Sequence, residues 1–207
     1  MLVNLKLYLL GLGLLPGGTA AAQRLAPGYV IMISGDSIRG AIRLSSPFEQ
    51  QLEVKFVPLT AERLVKLQPA QLRAYGYVQG HDTVRYAACP VQLGYPVQHR
   101  IGGLANDTTW ILLKQLMAGP VQLYERYTAS SGGRGNQSIR QYLLRKGKAV
   151  PINTYWWNFP KDAAAFFHDH PVLTTRLQAR YYHARDLKTV VQLYNHWQLA
   201  ATKAVGP

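Results

Sequence analysis

Residues 38 to 44 alternate strictly. Ile38, Gly40, Ile42 and Leu44 take one set of positions and Arg39, Ala41 and Arg43 the other, which is the period of two expected of a strand with one face buried. The pattern returns at Leu52, Val54 and Phe56, opposed by Glu53 and Lys55. Just ahead, Tyr29-Val30-Ile31-Met32-Ile33 is a compact apolar run stopped by Ser34-Gly35-Asp36-Ser37, where Gly-Asp supplies the positive φ of a tight hairpin. A chain that opens this way is committed to an antiparallel sheet. If its second and third strands pair, Glu53 faces an arginine.

Pro58, Pro69, Gly76, Gly80, Pro90, Gly94 and Pro96 then divide the chain into short stretches, which suits strands and disfavours long helices. Residues 110 to 117 fit either period. Thr108-Thr109 before them and Ala118-Gly119-Pro120 after them, followed by the alternating residues 121 to 127, favour a β-hairpin. Residues 129 to 138 have the composition of a surface loop, strand character resumes at 139 to 145, and the chain turns at Gly147 toward about Tyr155. From Lys161 the period becomes helical. Asp162 opens a short turn holding Phe166 and Phe167, and Asp169 ahead of Pro171 opens a helix presenting Leu173, Leu177 and Tyr181. A last helix from about Asp186 carries Leu187, Val190, Val191, Tyr194 and Trp197 along one stripe and should dock on the sheet. The expected fold is α+β: an antiparallel, strongly bent sheet or open barrel over residues 28 to 155, with a helical cap over 161 to 203.

Residues 1 to 22 read as an address. Lys6 precedes an apolar run over residues 7 to 15, then Pro16-Gly17-Gly18 and Thr19-Ala20-Ala21-Ala22, the order of a secretory signal peptide. The run is too short for the roughly 20 residues that span a bilayer as a helix. Cleavage after Ala22 leaves a single α+β domain, residues 23 to 207, in a periplasmic, outer-envelope or secreted location. Cys89 is the only cysteine, so no intramolecular disulfide supports the fold and an apolar core must. Lysine and arginine number 23 against 10 acids, a net charge of +13, which directs attention to anionic partners. Nucleic acid fits the charge but not the export signal, and no stacking motif of the RNA-binding type occurs.

Two features point to binding. Arg126, Arg134, Arg140, Arg145, Lys146 and Lys148 surround one glycine-rich loop with Glu125 as the lone offset, a basic patch or a solvated face. Trp156 and Trp157 are adjacent within Tyr155-Trp156-Trp157-Asn158-Phe159; on an extended segment they face opposite sides, so one covers the sheet-helix junction or is exposed. Chemistry is harder to find. His168-Asp169-His170, with His183 and His196 downstream, is the densest histidine region. Zinc needs three or four converging ligands, and neighbours two apart point away from each other on a helix and converge only on an extended segment; Asp169 reads as a helix cap. Cys89 has no base nearby in sequence and reads as a buried small hydrophobe. Gly132-Gly133-Arg134-Gly135 lacks the Lys-Ser/Thr of a phosphate-binding loop. No cofactor and no metal site is expected.

Two segments resemble a family of small exported proteins of Bacteroidota. Gly28-Tyr29 through Gly35-Asp36-Ser37-Ile38-Arg39-Gly40 is similar to an opening "G-x-I…G-D-T-I-x-G", with Ser37 in place of threonine. Phe167-His168-Asp169-His170-Pro171-Val172-Leu173, Asp186-Leu187 and Tyr194-Asn195 are similar to a closing "F-x-D-x-P-x-L…D-L…Y-N", and Gly119, Leu123 and Tyr124 fit the middle. The resemblance transfers no activity, cofactor or catalytic residue. The sequence therefore supports an exported, non-enzymatic binding or structural module of the cell envelope, contacting an anionic envelope component or a protein partner. The alternative is a secreted hydrolase with an unrecognised site.

Overall fold

The computed structural model describes residues 24–61, 63–92, 108–129, 138–155 and 157–204; the expected signal segment, most of the loop at 129 to 138, Arg134 and Trp156 lie outside them. Ten strands form one antiparallel sheet: β1 (Leu25–Met32), β2 (Ser37–Arg43), β3 (Val54–Pro58), β4 (Val65–Leu67), β5 (Leu72–Gln79), β6 (Asp82–Gln92), β7 (Thr108–Met117), β8 (Val121–Ala129), β9 (Ser138–Lys146) and β10 (Ile152–Asn153). The helices are α1 (Pro47–Gln50), α2 (Lys161–Phe166), α3 (Pro171–Gln178) and α4 (Leu187–Ala204). The fold is α+β, a bent sheet with a helical cap.

The strand order is β10-β9-β8-β7-β6-β5-β1-β2-β3-β4. The first four strands form one meander. β5 then returns to the free edge of β1, and the chain builds outward in the other direction. The β1–β2 hairpin turns at Gly35, whose φ of 105° requires glycine, and its register sets Gly28 against Gly40 and Tyr29 against Arg39.

The bend can be read from one residue. In a flat sheet β3 and β7 stand five places apart, about 24 Å at the usual strand spacing. Yet Gln51, just ahead of β3, accepts a hydrogen bond on its carbonyl oxygen from the Leu112 N–H of β7 at 2.9 Å. Its side-chain amide donates to the Tyr127 carbonyl of β8 at 2.7 Å and accepts from the Tyr127 N–H at 2.6 Å. The described β7–β8 ladder runs from Met117↔Leu123 to Lys114↔Glu125, and beyond it Gln51 bridges the two strands in place of a direct pairing. The sheet has curled until its third strand meets its seventh and eighth.

Inside the curl lies a core of Val30, Ile42, Phe56, Leu72, Tyr75 and Leu112 with their neighbours. A second cluster seats the helical cap: Val121, Leu123 and Leu144 of the sheet meet Phe167, Leu173, Leu177, Leu187, Val191 and Tyr194. A third, with Cys89, Val91, Ile111, Leu113, Tyr124 and Leu143, lies on the opposite face of β6 to β9. Asn195 of α4 clips the cap to the β7–β8 hairpin, donating to the Val121 carbonyl and accepting from its N–H, both at 2.8 Å.

Several local expectations change. The segment at Pro47 is not a plain loop: Ser46 and Glu49 form a reciprocal capping box around α1. That turn alters the approach to β3, so Arg43 faces Lys55, while Glu53 pairs with Lys66 at 3.5 Å. His170, not Asp169, caps α3, accepting from the Leu173 N–H at 3.4 Å. Asp169 instead accepts from Lys146 Nζ at 2.8 Å and from the Tyr194 hydroxyl at 2.6 Å, tying β9 to α4. Tyr181, past the end of α3, is exposed.

Candidate functional site

Register places three cations in a row. Arg43 of β2 stands opposite Lys55 of β3, and Lys55 opposite Lys66 of β4. On β1, Leu25 faces Arg43 and Arg24 precedes it. Like charges directly opposite one another destabilise a sheet. Glu53 relieves Lys66 alone; among the described residues no carboxylate forms an ion pair with Arg24, Arg43 or Lys55.

Those three cations and Lys114 of β7 line a cleft of about 760 Å³. Glu49 is the only carboxylate among its described lining residues; its Oε2 accepts from the Ser46 N–H and hydroxyl, each at 3.1 Å, and its charge interacts with Lys55 without forming an ion pair. Those hydrogen bonds, led by the backbone one, hold its carboxyl below the usual range. Four cations against one carboxylate leave the described lining of the cleft net positive.

Tyr77, Tyr86 and Tyr127 also line it. Tyr86 stacks on Tyr75 with centroids 4.6 Å apart, and Tyr77 lies 6.4 Å from each. The Tyr75 hydroxyl lies 3.2 Å from Gln50 Oε1 and 3.3 Å from its carbonyl. Burial pushes Tyr75, Tyr77, Tyr86 and Tyr127 above the ordinary tyrosine range. These phenols stay neutral at physiological pH, so their hydroxyls add no negative charge to the cleft. Beneath Lys114, buried Glu125 lies 3.7 Å from its Nζ and 3.5 Å from Arg140 Nη1. One carboxylate shared by two cations fixes the lysine without cancelling the local positive charge. The arrangement offers fixed positive charge and neutral polar groups, which suits binding an anion.

The cations expected around the 129 to 138 loop are distributed differently. Alternation along β8 and β9 puts Arg126 and Arg145 on one face and Arg140 and Lys146 on the other. Arg126 is partly buried, which lowers its pKa. Arg145 donates to Gln122 Oε1 at 2.6 Å and lies 5.2 Å over the Tyr124 ring. Lys146 is held by Asp169 and sits 4.9 Å from the Tyr194 ring. Lys148 is exposed. Among the described ones, only Arg140 adjoins the cleft, through Glu125. Trp157 packs against Phe166 at 5.6 Å, at the junction of sheet and cap.

Cys89 is fully buried, and burial raises its thiol pKa against the pull of Arg145, whose Nη1 is 3.5 Å from the sulfur. His168 Nδ1 contacts the Ala165 carbonyl at 3.0 Å. The residues that sequence reasoning does not single out are Arg24, Arg43, Lys55, Lys114 and the tyrosines. A signal for part of the site is present: Ser46-Pro47-Phe48-Glu49 is a capping box with proline at the first helical position, and it marks the turn that forms one wall. No protein-family model, curated protein or solved structure matches the chain.

Proposed function

We propose that the protein is an exported, non-enzymatic binding module that holds an anionic component of the cell envelope in the cleft between Arg24, Arg43, Lys55 and Lys114. The observation that supports this most is the in-register pair Arg43 and Lys55, both lining the cleft and neither ion-paired among the described residues. A sheet gains nothing from like charges side by side, and places where a sequence breaks a local rule are where function is expected. An anion in the cleft would remove that repulsion. The overall charge of +13 adds long-range attraction to a negatively charged surface.

Vesicles of phosphatidylglycerol in phosphatidylcholine provide the test, with the protein expressed from the full chain. A basic side chain near an anionic membrane contributes about 1 kcal/mol, so changing Arg24, Arg43 and Lys55 together to glutamine should weaken binding about a hundredfold. Changing the exposed Arg39, Arg85 and Arg176 instead should cost much less. Binding should fall steeply as salt shortens the screening length to about 8 Å. Equal losses from the two triple variants, or no binding by the parent in low salt, would overturn the reading.

A further inference from the structure

The helical cap carries a second cavity, about 520 Å³ and open to solvent, lined by residues of α2 and α3 and the segments beside them, with Asn158 and Gln178 at its exposed rim. Its size lies within the range of small-molecule sites. Pro160, Ala164 and Ala165 contribute no polar side-chain group, while Lys161, His168 and Arg180 contribute basic groups and are exposed. The Thr174 hydroxyl is already spent on the Phe167 carbonyl at 2.8 Å. Asp162, the nearest acid in sequence, is not among the lining residues, and its carboxylate accepts from the Asn158 N–H at 2.5 Å. Among the described residues neither Lys161 nor Arg180 has an acidic partner.

Arg180 supplies an independent observation. α3 ends in a paired turn in which the Arg180 N–H donates to the Leu177 carbonyl at 2.9 Å and the Tyr181 N–H to the Arg176 carbonyl at 3.0 Å. This turn needs a left-handed residue, a place usually taken by glycine. Here it is arginine, with φ of 58°, the one non-glycine residue with positive φ among those described. The turn is made by backbone groups alone, so the long side chain contributes nothing to it. A strained backbone position filled by a residue lining a cavity points to a role in that cavity.

We propose that this cavity binds a single-chain carboxylate, with its hydrocarbon against Pro160, Ala164 and Ala165 and its head group between Lys161 and Arg180. The site is separate from the cleft and does not depend on the function proposed for it. Calorimetric titration with sodium octanoate tests it in the parent and in Arg180→Gly and Lys161→Gln. The parent should bind octanoate at least tenfold more tightly than octan-1-ol, which lacks the charge. Each variant should lose about tenfold or more, the scale of one charge-assisted hydrogen bond. Glycine at 180 should also raise the melting temperature by about 2–4 °C, because it relieves the left-handed strain. A parent that does not bind octanoate, a glycine variant that binds it as tightly as the parent, or a glycine variant that melts lower would each overturn the proposal.

Discussion

Replacing Gln51 with leucine should loosen the curl of the sheet. Gln51 is 2 % exposed, and its amide satisfies both the N–H and the carbonyl of Tyr127 where β7 and β8 no longer pair directly. Leucine keeps much of the volume and the backbone bond to Leu112, but it leaves both Tyr127 groups without a partner. Each unsatisfied buried group costs about 1–3 kcal/mol. Because Tyr127 is only partly buried, the lower half of that range applies, giving about 2–4 kcal/mol in total. For a chain of this length that corresponds to a fall in melting temperature of about 6–12 °C, measurable by calorimetry or circular dichroism. Gln51→Glu separates hydrogen bonding from packing. A carboxyl there must be protonated to donate to the Tyr127 carbonyl, so its folded-state pKa is raised above the unfolded value of about 4.3. Its stabilising contribution is present below that unfolded value and is lost as pH rises through the folded pKa. The glutamate variant should approach the parent near pH 4 and fall behind it toward pH 7. A leucine variant melting within about 2 °C of the parent would refute the claim that Gln51 holds the bend.

Burial raises the carboxyl pKa of Asp169, but hydrogen bonds from Lys146 and Tyr194 outweigh it and hold the pKa below the ordinary range; its stabilising effect is present above the unfolded value and lost as pH falls through the folded one. Asp169→Asn should therefore flatten the acid limb of the stability curve, by no more than about 1 kcal/mol because the pair is partly solvated; an unchanged acid limb would show the pair to be inert. Gly119→Ala should destabilise the cap, since a Cβ there would lie 2.6 Å from the Asn195 amide nitrogen and φ is 145°; thermal melting at the parent temperature would contradict the clip between α4 and the β7–β8 hairpin. Expression in a bacterial host should yield a mature N-terminus at Gln23, and an intact mass retaining Met1 in an envelope fraction would overturn cleavage after Ala22.

Elements whose burial follows a simple period are legible in the sequence. The alternation of residues 38 to 44 becomes β2, with Ile42 in the core, and the stripe of Leu187, Val190, Val191 and Tyr194 becomes the buried face of α4. α1 escapes periodicity because four residues are barely one turn; its only sequence mark is the capping box. That small helix then changes what pairs with what, so Glu53 meets Lys66 rather than an arginine. The candidate site is less legible for the same reason. Arg43, Lys55 and Lys66 lie far apart in sequence and become neighbours only through two successive registers, whereas the cations of β8 and β9 cluster in sequence and are divided by alternation between two faces. Charge density along the chain differs from charge density in space, and the unpaired Arg43 and Lys55 of the folded protein come from the second.

Where an anion sits can be measured directly by titrating isotope-labelled mature protein with glycerol phosphate in low salt and following backbone and arginine side-chain resonances by NMR. The cleft reading predicts shifts at Arg24, Arg43, Gln50, Gln79 and Tyr127, all of which line it, with Arg126, Arg145 and Lys148 unmoved. Shifts centred on those three residues, or spread evenly over the exposed cations, would contradict it.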